Sequence, residues 1–172
     1  GYASDITRTF PVDGHFEGPR KALYEVVLAA QVRAIEAVRP GNRFSDAHDA
    51  AVRVLVRGML DLGLLQGEVD GAIESGAYKR FYMHRTGHWL GLDVHDAGDY
   101  GAEGNWQPLV PGMVTTVEPG LYVRPADDVP ERFWNIGIRI EDDVLVTPDG
   151  NEVLTAAAPK AIEDIEALMR AA

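Results

Sequence analysis

The chain has 172 residues, 46% of them hydrophobic, which suits one buried core and predicts one domain over residues 1–172. A formal net charge of −11, with no basic run to interrupt it, argues against a nucleic-acid partner, because a phosphate backbone would be repelled. No cysteine is present, so disulfides and thiolate zinc sites are excluded and any metal must be held by oxygen and imidazole.

No run approaches the ~18 uninterrupted apolar residues of a membrane span, and the first residues lack a signal-peptide pattern. A soluble, cytoplasmic protein without a membrane partner is expected. Residues 5 to 12 alternate, with Asp5, Thr7 and Thr9 on one face and Ile6, Arg8 and Phe10 on the other, until Pro11 ends a predicted strand. From Pro19 to Val38 the apolar positions Leu23, Val26, Val27, Ala30, Ala34, Ile35 and Val38 recur at three and four, which predicts an amphipathic helix closed by Pro40-Gly41.

A second helix is predicted from an N-cap at Ser45, with Ala47, Ala51, Val54, Leu55, Met59 and Leu62 facing the core and Gly63 stopping it. His48, beside Asp46 and Asp49, reads as a solvated helix residue. A short helix over Glu68 to Glu74 follows.

The stretch Met83 to Asp96 packs three of the five histidines, His84, His88 and His95, into twelve positions. Histidine is the commonest metal ligand and is suited to proton transfer near neutral pH, so the cluster is a candidate site. Residues 97 to 112 hold six Gly or Pro and read as a loop. Strands are predicted at Met113 to Val117 and Leu121 to Val123, interrupted by Glu118-Pro119-Gly120, where the proline removes a ladder donor. After a loop over 124 to 135, residues 136 to 146 give the clearest strand, with Ile136, Ile138 and Ile140 opposite Gly137, Arg139, Glu141 and Asp143. A turn at Pro148-Asp149-Gly150, a short strand at Val153-Leu154 and a closing helix from Ala161 to Met169 complete the chain.

Asp5, Glu118 and Glu141 all lie at or near the ends of apolar runs. Carboxylates brought together in a protein interior repel one another, and a divalent cation removes that cost. Carboxylates with one imidazole and no sulfur suit manganese, with cobalt, iron or zinc as alternatives. His84 and His88 have the spacing of a helical zinc site, but Arg85 stands where such a motif has its catalytic Glu, and Gly87 and Gly91 are poor helix material, so that reading is rejected.

Four segments in order, Ser4 to Phe10, His84 to Asp96, Thr116 to Gly120 and Gly137 to Asp143, resemble the catalytic domain of the pita-bread metallopeptidases. Within that family the resemblance is greatest to the Xaa-Pro aminopeptidases, with prolidase as near neighbour, and it runs nearly end to end. It implies an α+β fold, in which helices pack on the outer face of a curved antiparallel sheet and an acidic site occupies the inner one. It also implies a dinuclear centre where a metal-bound hydroxide attacks the bond before proline in peptides beginning Xaa-Pro. By matching motifs, Asp5 and Glu141 would bridge the ions, while His88 and Glu118 would complete the first ion's shell. Glu118 would also shuttle protons. His95 and His84 would sit outside the metal shell, stabilising the tetrahedral intermediate and holding the substrate near its proline, and Arg139 would orient the carboxylates.

Arg85 stands where many relatives have Gly, which alters the substrate mouth but no ligand. The family's further metal-binding Asp lies on a strand ahead of Asp5, so the chain reads as a C-terminal piece, favouring one ion over two and weak or absent activity. The unpaired outer edge of the first strand is expected either to recruit a second copy as a homo-oligomer or to leave that strand disordered. Two rival readings stay open: a prolidase acting on dipeptides, and a noncatalytic binding module on the same fold.

Overall fold

A pair of helices packed along their lengths builds the first half of the computed structural model, which describes residues 1–102 and 104–171. Glu103, inside the loop expected over 97 to 112, and Ala172 lie outside the described residues. Helix α1 (Gly18–Ala37) buries Leu23, Val27, Ala30 and Ala34, and α2 (Phe44–Asp61) answers with Ala51, Leu55 and Met59. This is the three-and-four apolar spacing put to use.

The start of α2 corrects the sequence reading. Arg43, not Ser45, is the N-cap, and its backbone N–H donates to the Asp46 carboxylate at 2.8 Å. The cause is tertiary, because Phe44 packs on Trp89 with ring centroids 4.7 Å apart and drags the first turn forward. Helix α3 (Val69–Glu74) and a 3₁₀ turn at Ala77–Arg80 then deliver Phe81 and Tyr82 into the core. The predicted loop contains a small hairpin of β1 (Gly101–Ala102) and β2 (Asn105–Trp106).

The second half is one long bent hairpin. Strands β3 (Val114–Val117) and β4 (Gly120–Val123) run antiparallel to β6 (Asp142–Thr147) and β5 (Ile136–Arg139) respectively. Val117 pairs with Asp142 and Gly120 with Arg139, so both gaps are two residues long and the register never slips. Glu118 therefore stands opposite Glu141, and Pro119 opposite Ile140.

At this step the ladder loses one bond, and the continuous strand expected over 136 to 146 is split into β5 and β6. Pro119 has no N–H to give, so only Ile140 N–H on Pro119 O, at 3.3 Å, crosses the pair here, while strand alternation points Glu118 N–H outward to Thr86 O at 2.7 Å and Glu141 N–H outward to Thr7 O at 3.0 Å. Each of these outward donors holds a flanking segment. Residues 86 to 90 run antiparallel to β3, with Thr116 N–H on His88 O at 2.9 Å and Leu90 N–H on Val114 O at 3.1 Å.

The strand expected over 5 to 12 is likewise reduced to an isolated bridge between Thr7 and Glu141. Its other ties use side chains in place of ladder carbonyls: Asp5 N–H donates to the Asp143 carboxylate, and Thr9 Oγ1 accepts from Arg139 N–H at 3.1 Å. Strand β7 (Gly150–Val153) extends the sheet beyond β6, and α4 (Ile162–Arg170) closes the chain on Ile162 and Ile165.

Strand parity now sorts the side chains. Val117, Leu121, Val123, Ile138, Ile140 and Val144 are buried on the face that meets α1. Opposite them, residues that share a cross-strand position share the other face: Asp5 and Thr7, Glu141, Glu118, then His88. No helix among the described residues is long and apolar enough to cross a membrane.

Candidate metal centre

Register brings together what the sequence keeps far apart. One ligand atom each from Asp5, His88 and Glu141 lies within 4.8 Å of the other two. The His88 Nε2 atom is 3.4 Å from Asp5 Oδ2 and 3.6 Å from Glu118 Oε1. Glu118 sits at the rim of this group, with Oε2 drawn to 3.5 Å from an Arg139 guanidinium nitrogen and Oε1 accepting from the Thr116 hydroxyl at 3.4 Å.

The imidazole of His88 is set up as a ligand by its other nitrogen. Nδ1 lies 3.0 Å from the Trp89 carbonyl, which can only accept, so Nδ1 carries the hydrogen and Nε2 presents a lone pair to the carboxylates. Reaching that position requires Gly87, because a Cβ there would stand 2.0 Å from the Thr116 carbonyl oxygen.

Three carboxylates around one lone pair are unstable without a cation. Glu141 is 2% exposed, and its carboxylate accepts the Thr7 hydroxyl. Burial pushes its carboxyl up to about 7; the Glu118 and Asp5 charges push the same way, against the Thr7 hydrogen bond and Arg139. The donor set, oxygen with one nitrogen and no sulfur, fits a hard or borderline divalent ion. The residues present therefore fit a metal ion.

A second group adjoins the acidic one. Tyr122, two positions beyond Gly120, folds its phenol back so that the hydroxyl accepts from Arg139 Nε at 2.8 Å and meets His84 Nε2 at 2.9 Å. His84 Nδ1 lies 2.7 Å from the Arg85 carbonyl, which fixes its hydrogen there and leaves Nε2 to receive the tyrosine proton. A Cβ on Gly120 would stand 2.6 Å from that hydroxyl, so glycine is what lets the phenol pass. His95 is exposed, its ring edge-on to His88 with centroids 4.2 Å apart.

These groups open onto a cleft of about 930 Å³ lined by Tyr82, His84, Arg85, His88, Tyr100 and Trp106 among others. Arg85 lies exposed at its mouth, stacked 4.4 Å over the Trp106 ring. His48 corrects the solvated reading: it is half-buried on the same cleft wall, with Nδ1 2.9 Å from the Thr86 hydroxyl. Burial lowers its pKa to about 4, helped by the charges of Arg85, His84 and Lys79. The acidic neighbours Asp46 and Asp49 suggest solvent, and nothing local signals the segment that covers the ring.

Sequence reasoning passed over Tyr122 and Thr7 as members of the site. Both were available from parity, Tyr122 by its two-residue steps from Glu118 and Thr7 by its step from Asp5.

The chain matches Metallopeptidase family M24 over residues 1–148 and belongs to that family. Its fold is the α+β pita-bread fold, with helices outside the sheet. It is similar to the Xaa-Pro aminopeptidase of Haemophilus influenzae, 56% identical over 98% of this chain and 39% of the relative, and to that of Escherichia coli, 50% identical over 100% of this chain and 39% of the relative. Among solved structures it superposes on Pseudomonas aeruginosa aminopeptidase PepP with a TM-score of 0.96 at 54% identity, covering 99% of this chain and 39% of that one. Zinc-substituted E. coli aminopeptidase P in complex with product gives 0.94 at 49% identity, over 99% of this chain and 38% of that one. The chain thus spans about two fifths of the length of these relatives.

Proposed function

We propose that this chain carries the metal-binding part of an Xaa-Pro aminopeptidase, a hydrolase that releases the N-terminal residue from peptides with proline second. The observation that supports this most is the convergence of Asp5, His88 and Glu141 on one point, with Glu118 beside His88. In this reading those four residues hold the ion, Mn2+ being preferred, and Asp5 with Glu141 are the carboxylates able to serve two ions. One ion is favoured over two. When bound, the ion supplies Lewis acidity and lowers the pKa of water.

The remaining steps belong to the side chains. Glu118 accepts a proton from the attacking water and returns it to the departing proline nitrogen, and Arg139 keeps its carboxylate oriented. His84, positioned by Tyr122, holds the substrate near its proline, and His95, exposed at the rim, donates to the oxygen on which charge develops.

The test is titration of the purified chain with Mn2+, followed by mass spectrometry of an Xaa-Pro-Xaa tripeptide and an Xaa-Pro dipeptide incubated with it. Metal binding with slow release of the first residue from the tripeptide is expected. Cleavage confined to the dipeptide would favour prolidase, and binding with no cleavage of either would favour a noncatalytic module. Absence of Mn2+ binding would remove the foundation of the reading.

A further inference from the structure

Behind the acidic face, on the opposite side of the same strand, lies a buried ionic cluster that the proposed chemistry does not use. Asp142 is 0% exposed and both its oxygens are doubly occupied. Oδ1 accepts from Arg8 at 2.7 Å and from the Thr155 hydroxyl at 2.7 Å; Oδ2 accepts from Gln31 at 2.7 Å and from Lys160 at 2.6 Å. A carboxylate buried this completely is tolerated only with its lone pairs satisfied.

Arg8 is the partner that reaches the metal side. Its side chain is 13% exposed, and all five N–H donors of its guanidinium are spent. Nε donates to Pro159 O at 3.0 Å, and one terminal nitrogen donates to Asp142 and to Ala158 O at 2.9 Å. The other terminal nitrogen spans the strand pair itself, donating to Thr7 O at 2.9 Å and Glu141 O at 2.6 Å.

That last pair of bonds falls where the ladder is thinnest. The segment bearing Asp5 has one ladder bond to its neighbour, Glu141 N–H on Thr7 O. The carbonyls clamped by Arg8 are those of the two residues forming that bridge. Thr7 lies two positions from Asp5, so the clamp sets the distance between the Asp5 and Glu141 carboxylates.

We propose that Arg8, oriented by Asp142, is a positioning residue of the metal centre: its fork ties the Asp5 segment to the Glu141 strand so that both carboxylates meet one ion. The inference rests on the metal-binding reading above. Lysine cannot substitute, having three donors on a point charge and no planar fork.

The test uses the full chain and Mn2+ alone, read by calorimetry and by the electron paramagnetic resonance of the bound ion, with stability measured by urea unfolding of the metal-free protein. Arg8→Lys and Asp142→Asn are expected to weaken Mn2+ binding at least tenfold and to change the bound-ion spectrum. Thr155→Val, which removes one Asp142 bond and the acceptor of Asp143 N–H but leaves the Arg8 fork intact, is expected to lower stability while holding affinity within twofold. Folded Arg8→Lys with affinity and spectrum unchanged would overturn the proposal. So would a Thr155→Val variant that loses as much affinity as Arg8→Lys, or failure of both Arg8→Lys and Asp142→Asn to fold, since the cluster would then serve the fold and not the site. If the unaltered chain binds no Mn2+, it is the metal reading that fails.

Discussion

Glu118 and Glu141 face each other beside Pro119, where the long hairpin lacks one ladder bond. Two acidic side chains at directly opposed positions repel, and like charges so placed destabilise a sheet. The register that opposes them also points their two N–H groups outward, to the Thr86 and Thr7 segments that carry His88 and Asp5.

Glu141→Gln should separate stability from binding. The folded carboxyl is raised to about 7 from an ordinary 4.5, so its stabilising contribution is present below about pH 4.5 and is lost as pH rises through 7. Above pH 7 the metal-free variant should therefore be more stable than the parent, by about 1–3 kcal/mol in urea unfolding. Its Mn2+ affinity should fall at least a hundredfold in the same preparation. Equal stability at pH 8 would show that the buried charge is not the cost it is taken to be.

His48 predicts the opposite slope on the acid side. Its folded pKa is depressed to about 4, so its contribution is present above the unfolded value near 6.5 and is lost as pH falls toward 4. Between pH 7 and 4.5 the parent should lose about 1–2 kcal/mol more than His48→Gln, after discounting for its partial exposure. Parallel stability curves for the two proteins would contradict this.

Tyr122→Phe removes a hydroxyl that touches no proposed ligand. Mn2+ affinity should stay within about threefold, while the turnover of an Xaa-Pro-Xaa peptide should fall about tenfold, because His84 and Arg139 lose their common partner. A variant with unchanged turnover would leave His84 without a positioning role for Tyr122.

Gly120→Ala tests the close passage of the phenol. The added carbon would meet the Tyr122 hydroxyl at 2.6 Å and the Ile138 carbonyl at 2.7 Å, and the second of these is backbone that cannot swing aside. A loss of about 1–3 kcal/mol in urea unfolding is expected, accompanied by the turnover defect of Tyr122→Phe.

The helical half was readable because three-and-four spacing survives in the fold: Leu23, Val27, Ala30 and Ala34 are fully buried, as that pattern requires. The acidic residues were readable for a different reason, since charges at or near the ends of apolar runs demand an explanation. Alternation placed Asp5 and Thr7 on one face correctly, yet it could not reveal that side chains would replace most of their ladder. The environment of His48 is set by Thr86, 38 positions away, so its own helix carries no trace of it. Asp142 was within reach, since it shares parity with Ile138 and Ile140, and a carboxylate in that row announces a buried partner.

The bridge from Thr7 to Glu141 joins positions 134 apart, so the Asp5 segment waits for Glu141, the last in sequence of the four proposed ligands. Closing so wide a loop carries an entropic cost that nearer contacts escape. Helix pairing and hairpin formation can precede it, and the cation-binding constellation is then a late product of maturation. Its capacity to capture an ion would serve as a gauge of whether a given molecule has finished folding.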